Sequence, residues 1–137
     1  TTLLIPGFND SGSELEKLSC WMVEQLGPEV PLHFSAFHPD WKMRDVERTP
    51  HQTLIRAREI ALANGIHHVY LGNVHDHQGS STYCHACGQI LIGRDWYVLS
   101  DWNLDSQGRC SNCLEPCPGH FEPTPGNWGS RRQPVQV

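Results

Sequence analysis

Two cysteine pairs carry the clearest chemical signal in this chain. They stand in Tyr83-Cys84-His85-Ala86-Cys87-Gly88 and in Cys110-Ser111-Asn112-Cys113. Two residues between cysteines make a tight turn, so both thiolates of a pair can point at one ion while nearby amides donate to the sulfurs. Two such turns supply the four ligands of a tetrahedral site, and zinc is the ion expected at Cys84, Cys87, Cys110 and Cys113. Disulfides or free thiols are the plain alternative, and iron in a rubredoxin-like site uses the same ligands. Four protein ligands leave no open position, so such a centre is structural. Cys117 follows Cys113 too late for the pattern and reads as a spare ligand, and Cys20, beside Trp21, reads as a buried inert thiol.

The residues between the pairs must position them. Gln89-Ile90-Leu91-Ile92 and Trp96-Tyr97-Val98-Leu99 read as two strands joined by Gly93-Arg94-Asp95. Two cysteine turns bracketing a β-hairpin form a small zinc-ribbon-like module, assigned to 78–118 and followed by a Pro/Gly-rich tail over 119–137. The module has little core, so the ion's binding energy is expected to supply much of its stability. A cytoplasmic, reduced setting suits thiolates that hold a metal, and no charged-then-apolar leader opens the chain.

Nine histidines are the next candidates. His38 falls just past the C-terminal end of a strand, the edge where parallel α/β sheets bind ligands. His75 and His77 follow another strand at the same edge. His33 alternates with the apolar residues of its strand, so it points to the side of Ser35. His51, in the first turn of a helix, and His67 and His68, which open a strand, carry no such argument.

Those histidines depend on the elements of the first 77 residues. Thr2 to Ile5 reads as a strand, and Pro6-Gly7-Phe8-Asn9-Asp10 as a loop. Ser13-Glu14-Leu15-Glu16 reads as a capping box. Leu15, Leu18, Met22 and Leu26 then recur on one helical stripe that Gly27-Pro28 ends. Val30 to Phe37 reads as a strand with Leu32, Phe34 and Ala36 on one face. Thr49-Pro50-His51-Gln52 reads as a second capped helix start, Leu54, Ala57, Ile60 and Ala61 as its buried side, and Asn64-Gly65 as its stop. Ile66 to Leu71 reads as a third strand. Strand, helix, strand, helix, strand predicts an α/β unit of three parallel strands and two helices joined by right-handed crossovers. Such sheets are normally covered on both faces, which two helices cannot achieve, so the unit reads as part of something larger.

Composition bounds the functions available. The chain has 137 residues, with 15 acidic against 10 basic side chains and a formal net charge of −5. That sign argues against nucleic acid as a partner. No apolar run approaches the roughly 18 residues of a membrane span. No phosphate-cradling glycine loop, nucleophile elbow or zinc-hydrolase helix is present.

In sum, Leu4-Ile5-Pro6-Gly7-Phe8-Asn9-Asp10, His33-Phe34-Ser35-Ala36-Phe37-His38-Pro39, Tyr70-Leu71-Gly72-Asn73-Val74 and Thr82-Tyr83-Cys84-His85-Ala86-Cys87-Gly88, in that order, resemble the C-terminal half of a radical SAM enzyme. The branch resembled is the AmmeMemoRadiSam-system enzymes, relatives of pyruvate formate-lyase activating enzymes. The resemblance implies a partial (β/α)6 barrel in which residues 1–77 supply the last three strands. It also implies a [4Fe–4S] cluster and S-adenosylmethionine (SAM), which one electron cleaves to a 5′-deoxyadenosyl radical that abstracts hydrogen from a substrate. The family's cluster loop, Cys-x3-Cys-x2-Cys, has no match among the six cysteines. What the chain would hold is part of the SAM pocket: His38 beside the nucleoside, and Leu71, Gly72, Asn73 and Val74 along the adenine through their backbone. Asn9 and Asp10 would stand at the mouth. The two cysteine pairs resemble the family's C-terminal cysteine extension. Implied partners are the missing N-terminal half of the barrel and Memo-like and Ammecr-like proteins. An adaptor that docks a partner through the metal module, using Trp102, Trp128 and Arg131-Arg132, is the non-catalytic alternative.

Overall fold

The structure, a computed structural model, describes residues 1–127 and 129–131. Trp128 and Arg132 lie outside the described residues. The chain divides into two compact units, Thr1–Ser80 and Ser81–Val137.

The first unit is α/β. It runs β1 (Thr2–Leu4), α1 (Gly12–Leu26), β2 (Leu32–Ala36), α2 (His51–Ala63), β3 (Val69–Gly72) and a one-turn α3 (His77–Ser80). The three strands form a parallel sheet in the order β1-β2-β3. Their alternation decides which side is core. Leu4, Leu32, Phe34, Ala36, Val69 and Leu71 point one way and pack with Leu15 and Met22 of α1 and Leu54, Ala57 and Ala61 of α2. Both long helices therefore cover the same face. The opposite face carries Leu3, His33, Ser35, Tyr70 and Gly72, in rows fixed by the pairings Leu3–Ser35, Ser35–Gly72 and His33–Tyr70. Leu3 and His33 are exposed there.

Local chemistry explains the helix limits and corrects two expectations. The cap of α1 is Ser11, not Ser13. The Ser11 hydroxyl accepts from the Glu14 amide at 3.3 Å and donates to the Glu14 carboxylate at 3.0 Å. Ser11-x-x-Glu14 and Ser13-x-x-Glu16 are overlapping capping boxes, and the earlier one adds two helical residues while keeping Leu15 and Met22 buried. Leu26, expected on the buried stripe, is exposed at the helix end, and Ser19 takes a buried place instead.

Thr49 does not cap α2 at all. The residue at the cap position is Pro50, which makes no side-chain cap bond. Thr49 is buried, and its hydroxyl donates to the Leu4 carbonyl at 2.6 Å while accepting from the Phe37 amide at 2.8 Å. One side chain thus ties the ends of β1 and β2 to the loop that enters α2. The exit of α2 follows expectation. Gly65 takes φ +93°, with Ile66 N–H to Ala61 C=O at 3.2 Å and Gly65 N–H to Leu62 C=O at 3.0 Å, a Schellman motif.

The second unit is a three-stranded antiparallel sheet, β4 (Thr82–Tyr83), β5 (Ile90–Asp95) and β6 (Val98–Trp102), in that order. The hairpin turn lies at Trp96-Tyr97, between the paired Asp95 and Val98, not at Gly93-Arg94-Asp95. Gly93 sits inside β5 at a register shift, where a Cβ would meet the Ser100 and Asp101 side chains and come 2.9 Å from the Asp101 nitrogen. The glycine is there for a close strand approach rather than for a turn. The core of this unit is Cys84, Leu91, Ile92, Leu104, Cys110 and Cys117, with Leu99, Trp102 and Phe121 against it.

Replacing Thr49 by valine keeps the volume and strands the Leu4 carbonyl and Phe37 amide. Chemical denaturation should show a loss of about 2 kcal/mol. An unchanged midpoint would mean that the hydroxyl is not what ties the two strands.

Candidate metal centre and the sheet edge

The two cysteine turns are built alike. In the first, the Gly88 amide donates to the Cys84 carbonyl at 2.9 Å and the Cys84 amide to the Gln89 carbonyl at 2.8 Å. In the second, the Leu114 amide donates to the Cys110 carbonyl and the Cys110 amide to the Glu115 carbonyl, each at 2.9 Å. Both turns close through a residue with positive φ, Gly88 at +74° and Leu114 at +65°. Glycine takes that conformation without strain, whereas leucine does so at a cost of about 1 kcal/mol. The shared geometry therefore holds even where the residue type opposes it.

These turns bring Cys84, Cys87, Cys110 and Cys113 together, with all four sulfurs within 4.8 Å of one another. Sγ of Cys84 lies 3.6 Å from that of Cys113, and Sγ of Cys87 lies 3.7 Å from that of Cys110. Zinc–sulfur bonds of about 2.3 Å at tetrahedral angles set an S–S edge of about 3.8 Å, so the arrangement fits such an ion. A disulfide needs sulfurs about 2.05 Å apart, and none is formed among the described residues. Cys84 and Cys110 are buried, whereas Cys87 and Cys113 are exposed.

Without an ion the sulfurs share protons unevenly. The Gln89 amide and then the Asn112 side chain hydrogen-bond to Cys87 and bring its thiol down to about 6. At Cys113 the Glu115 amide pulls downward. Burial and hydrogen bonds with the neighbouring thiols outweigh it and push the thiol up to about 12. A divalent cation removes this conflict by favouring four thiolates together.

Residues behind the ligands hold the turns. Asp105 accepts from the Gln107 and Arg109 amides through Oδ1, at 2.8 and 2.9 Å, and from Arg109 Nε through Oδ2 at 2.8 Å. Those bonds, led by the Arg109 amide, hold its carboxyl below the usual range despite some burial. The turn so fixed leads directly into Cys110. Asn103 joins it to β5, donating to the Leu91 and Ile90 carbonyls while its own carbonyl accepts from the Ser111 amide. His85 of the first turn and Glu115 of the second stand 3.5 Å apart as a bridge between them.

The other two cysteines are apart from the centre. Cys117 packs in the core of the unit, its amide donating to the Gly108 carbonyl at 3.0 Å. Cys20 is exposed on α1, against the expectation of burial, and its thiol donates to Asn64 Oδ1 at 3.2 Å. The expected apolar stripe turned Leu18 and Met22 inward, and position 20 lies off it. Trp102 is half-buried with its ring 6.4 Å from that of Phe121 in an edge contact, so it packs the module rather than standing free.

The remaining expected residues sit at the C-terminal edge of the parallel sheet. His38 is exposed two residues past β2. Leu71 turns its side chain into the core, so it offers only backbone to a ligand. Gly72 lies half-buried on the face opposite the helices, where a Cβ would stand 2.9 Å from Ser35 Oγ. Asn73 has φ +59°, and its side-chain amide donates to the Ala36 carbonyl at 3.1 Å, joining the ends of β2 and β3. Val74 packs against the core. Asn9 and Asp10 serve their own turn: Asn9 bonds the Ile5 amide and the Leu3 carbonyl, and Asp10 the Gly7 amide.

One pair at this edge was not visible in the sequence. His51 Nε2 and Asp76 Oδ2 lie 2.8 Å apart. Burial acts to raise the Asp76 pKa, but the Gly79 amide and His51 outweigh it and hold the carboxyl below its ordinary value. The two residues stand 25 positions apart, and no local pattern links them. The only sequence signal is that each sits at the start of a helix.

Comparison with known proteins adds one relative. The chain is 44% identical, over 116 residues, to an uncharacterized protein of Methanocaldococcus jannaschii, an alignment covering 84% of this chain and 35% of that protein. The chain thus spans about a third of the length of the curated relative it matches. No family model and no solved structure matches.

Changing Cys84 to alanine should abolish stoichiometric metal binding and expose β5 and β6 to proteolysis, whereas Cys20→Ala should leave metal content intact. Elemental analysis of the two variants checks this. Equal metal loss in both would contradict the four-cysteine centre.

Proposed function

We propose that this chain is the C-terminal portion of a radical SAM enzyme of the AmmeMemoRadiSam-system branch, and that its four-cysteine centre holds a structural zinc ion. The observation that carries the first part is the one-sided cover of the parallel sheet. Both long helices on one face, and the exposed Leu3 and His33 on the other, suit the wall of a larger barrel, whose helices lie outside and whose inner face meets the ligand. The relative's greater length agrees with a parent protein that supplies more strands.

In this reading, a [4Fe–4S] cluster and SAM, held in part by residues elsewhere in the parent, would supply radical chemistry for hydrogen abstraction. This chain's own residues bind and orient. His38, exposed past β2, offers a polar ring at the rim. Gly72 leaves its backbone bare on the face opposite the helices. Asn73, held to the Ala36 carbonyl, fixes the chain direction so that Leu71 to Val74 present backbone groups to an adenine edge. The zinc centre stays outside the chemistry, since its four thiolates leave no position for substrate. Thiolates and cluster ligands alike suit a reducing cytoplasm, and Memo-like and Ammecr-like proteins are the partners the resemblance proposes.

The test uses a longer chain extended upstream, reconstituted anaerobically with iron and sulfide and supplied with a reductant. It should convert SAM to 5′-deoxyadenosine. The His38→Ala variant should require about tenfold more SAM, the equivalent of one lost polar contact. Absence of both product and cluster absorbance would overturn the proposal.

A further inference from the structure

An open cavity of about 450 Å³ lies at the C-terminal edge of the parallel sheet, lined by Arg48, Thr49, Pro50, His51, Val74 and His75. Ligands of open α/β sheets bind at this edge. The lining carries one cationic side chain, Arg48. Arg48 and two imidazoles face the space, and the first turn of α2 contains no acidic residue. Asp45 and Glu47 of the preceding loop are exposed and are not among the lining residues.

The carboxylate that partners His51 of the lining is already engaged. Asp76 accepts from the Gly79 amide through Oδ1 at 2.8 Å and pairs with His51 through Oδ2. Arg48 has no carboxylate partner among the described residues. Its Nη2 makes only a long contact, 3.4 Å, with the Asn73 carbonyl. The guanidinium is therefore left with donors and charge to spare at the rim of a cavity.

The arrangement is also held in place before any ligand arrives. Thr49, buried and bonded to β1 and β2, fixes the backbone between Arg48 and His51. Asp76 fixes the His51 ring through Nε2. With Nε2 turned to Asp76, Nδ1 is the ring nitrogen that remains for a ligand. Preorganised donors lose little on binding, which favours a small ligand.

We propose that this cavity binds the oxyanion group, carboxylate or phosphate, of a small-molecule ligand, with Arg48 as the charge-assisted donor and His51 as a binding residue oriented by Asp76. The site stands on this chain's own residues, so it can be read without SAM, cluster or upstream sequence.

The experiment titrates the zinc-loaded chain at constant ionic strength with inorganic phosphate and, separately, with acetate. Nitrogen-15 NMR follows the His51 and His75 rings and Arg48 Nε–H, with His120 of the second unit as the reference. Saturable shifts at the three groups with an unmoved His120 are expected. The anion that saturates at lower concentration identifies the ligand group. The Arg48→Ala variant, altered at an exposed side chain, should keep the amide spectrum of the fold and bind at least about tenfold more weakly. The Arg48→Lys variant should recover part of the loss. Shifts that grow linearly without saturation, or equal affinity in Arg48→Ala, would overturn the proposal.

Discussion

Burial on one side of a three-stranded parallel sheet governs the first unit. Leu4, Phe34 and Leu71 alternate out of step with Leu3, Ser35 and Gly72, so each strand has one apolar face and one mixed face. Both helices bring their apolar stripes to the same side, because right-handed crossovers between neighbouring strands in the order β1-β2-β3 place them there. On the other side Leu3 and His33 are exposed, and Ser35, Tyr70 and Gly72 are half-buried. The edge loops inherit their geometry from this arrangement. Thr49 ties the ends of β1 and β2, and Asn73 ties the ends of β2 and β3, so the rim is stitched by side chains rather than left to the loops.

A different constraint governs the second unit. Its apolar core is small, and two of the core residues are Cys84 and Cys110, members of the four-cysteine group that could hold a metal. Four sulfurs meeting at one point are satisfied together by a metal ion, so a bound ion would add to the stability of this unit. Asp105, Asn103 and the His85–Glu115 pair set the approach of the two turns through the protein's own bonds.

Much of this was legible in the sequence because it rests on short periods and fixed spacings. Alternation in Leu32 to Ala36, the stripe of Leu54, Ala57 and Ala61, and the repeated Cys-x-x-Cys each express one local geometry. Misreadings arose where two local solutions competed. Ser11 and Ser13 each begin a capping box, and the helix uses the earlier one. Gly93 looks like a turn but serves a close strand approach. The turn falls instead on Trp96, at φ +53°, a conformation its side chain disfavours. Thr49 was misassigned because its partners, Leu4 and Phe37, are remote in sequence. The same distance hid the His51–Asp76 pair, whereas the cysteines announced themselves by spacing alone.

In the proposed reading, the parallel sheet is one part of a larger one. In this chain β1 is an edge strand, with a neighbour on β2's side only among the described residues. Hydrogen–deuterium exchange of the Thr2–Leu4 segment, compared between this chain and one extended upstream to the relative's length, tests the claim most directly. The account predicts that β1 gains strong protection in the longer chain while α1 and α2 exchange as before. Identical exchange of β1 in both chains would contradict it.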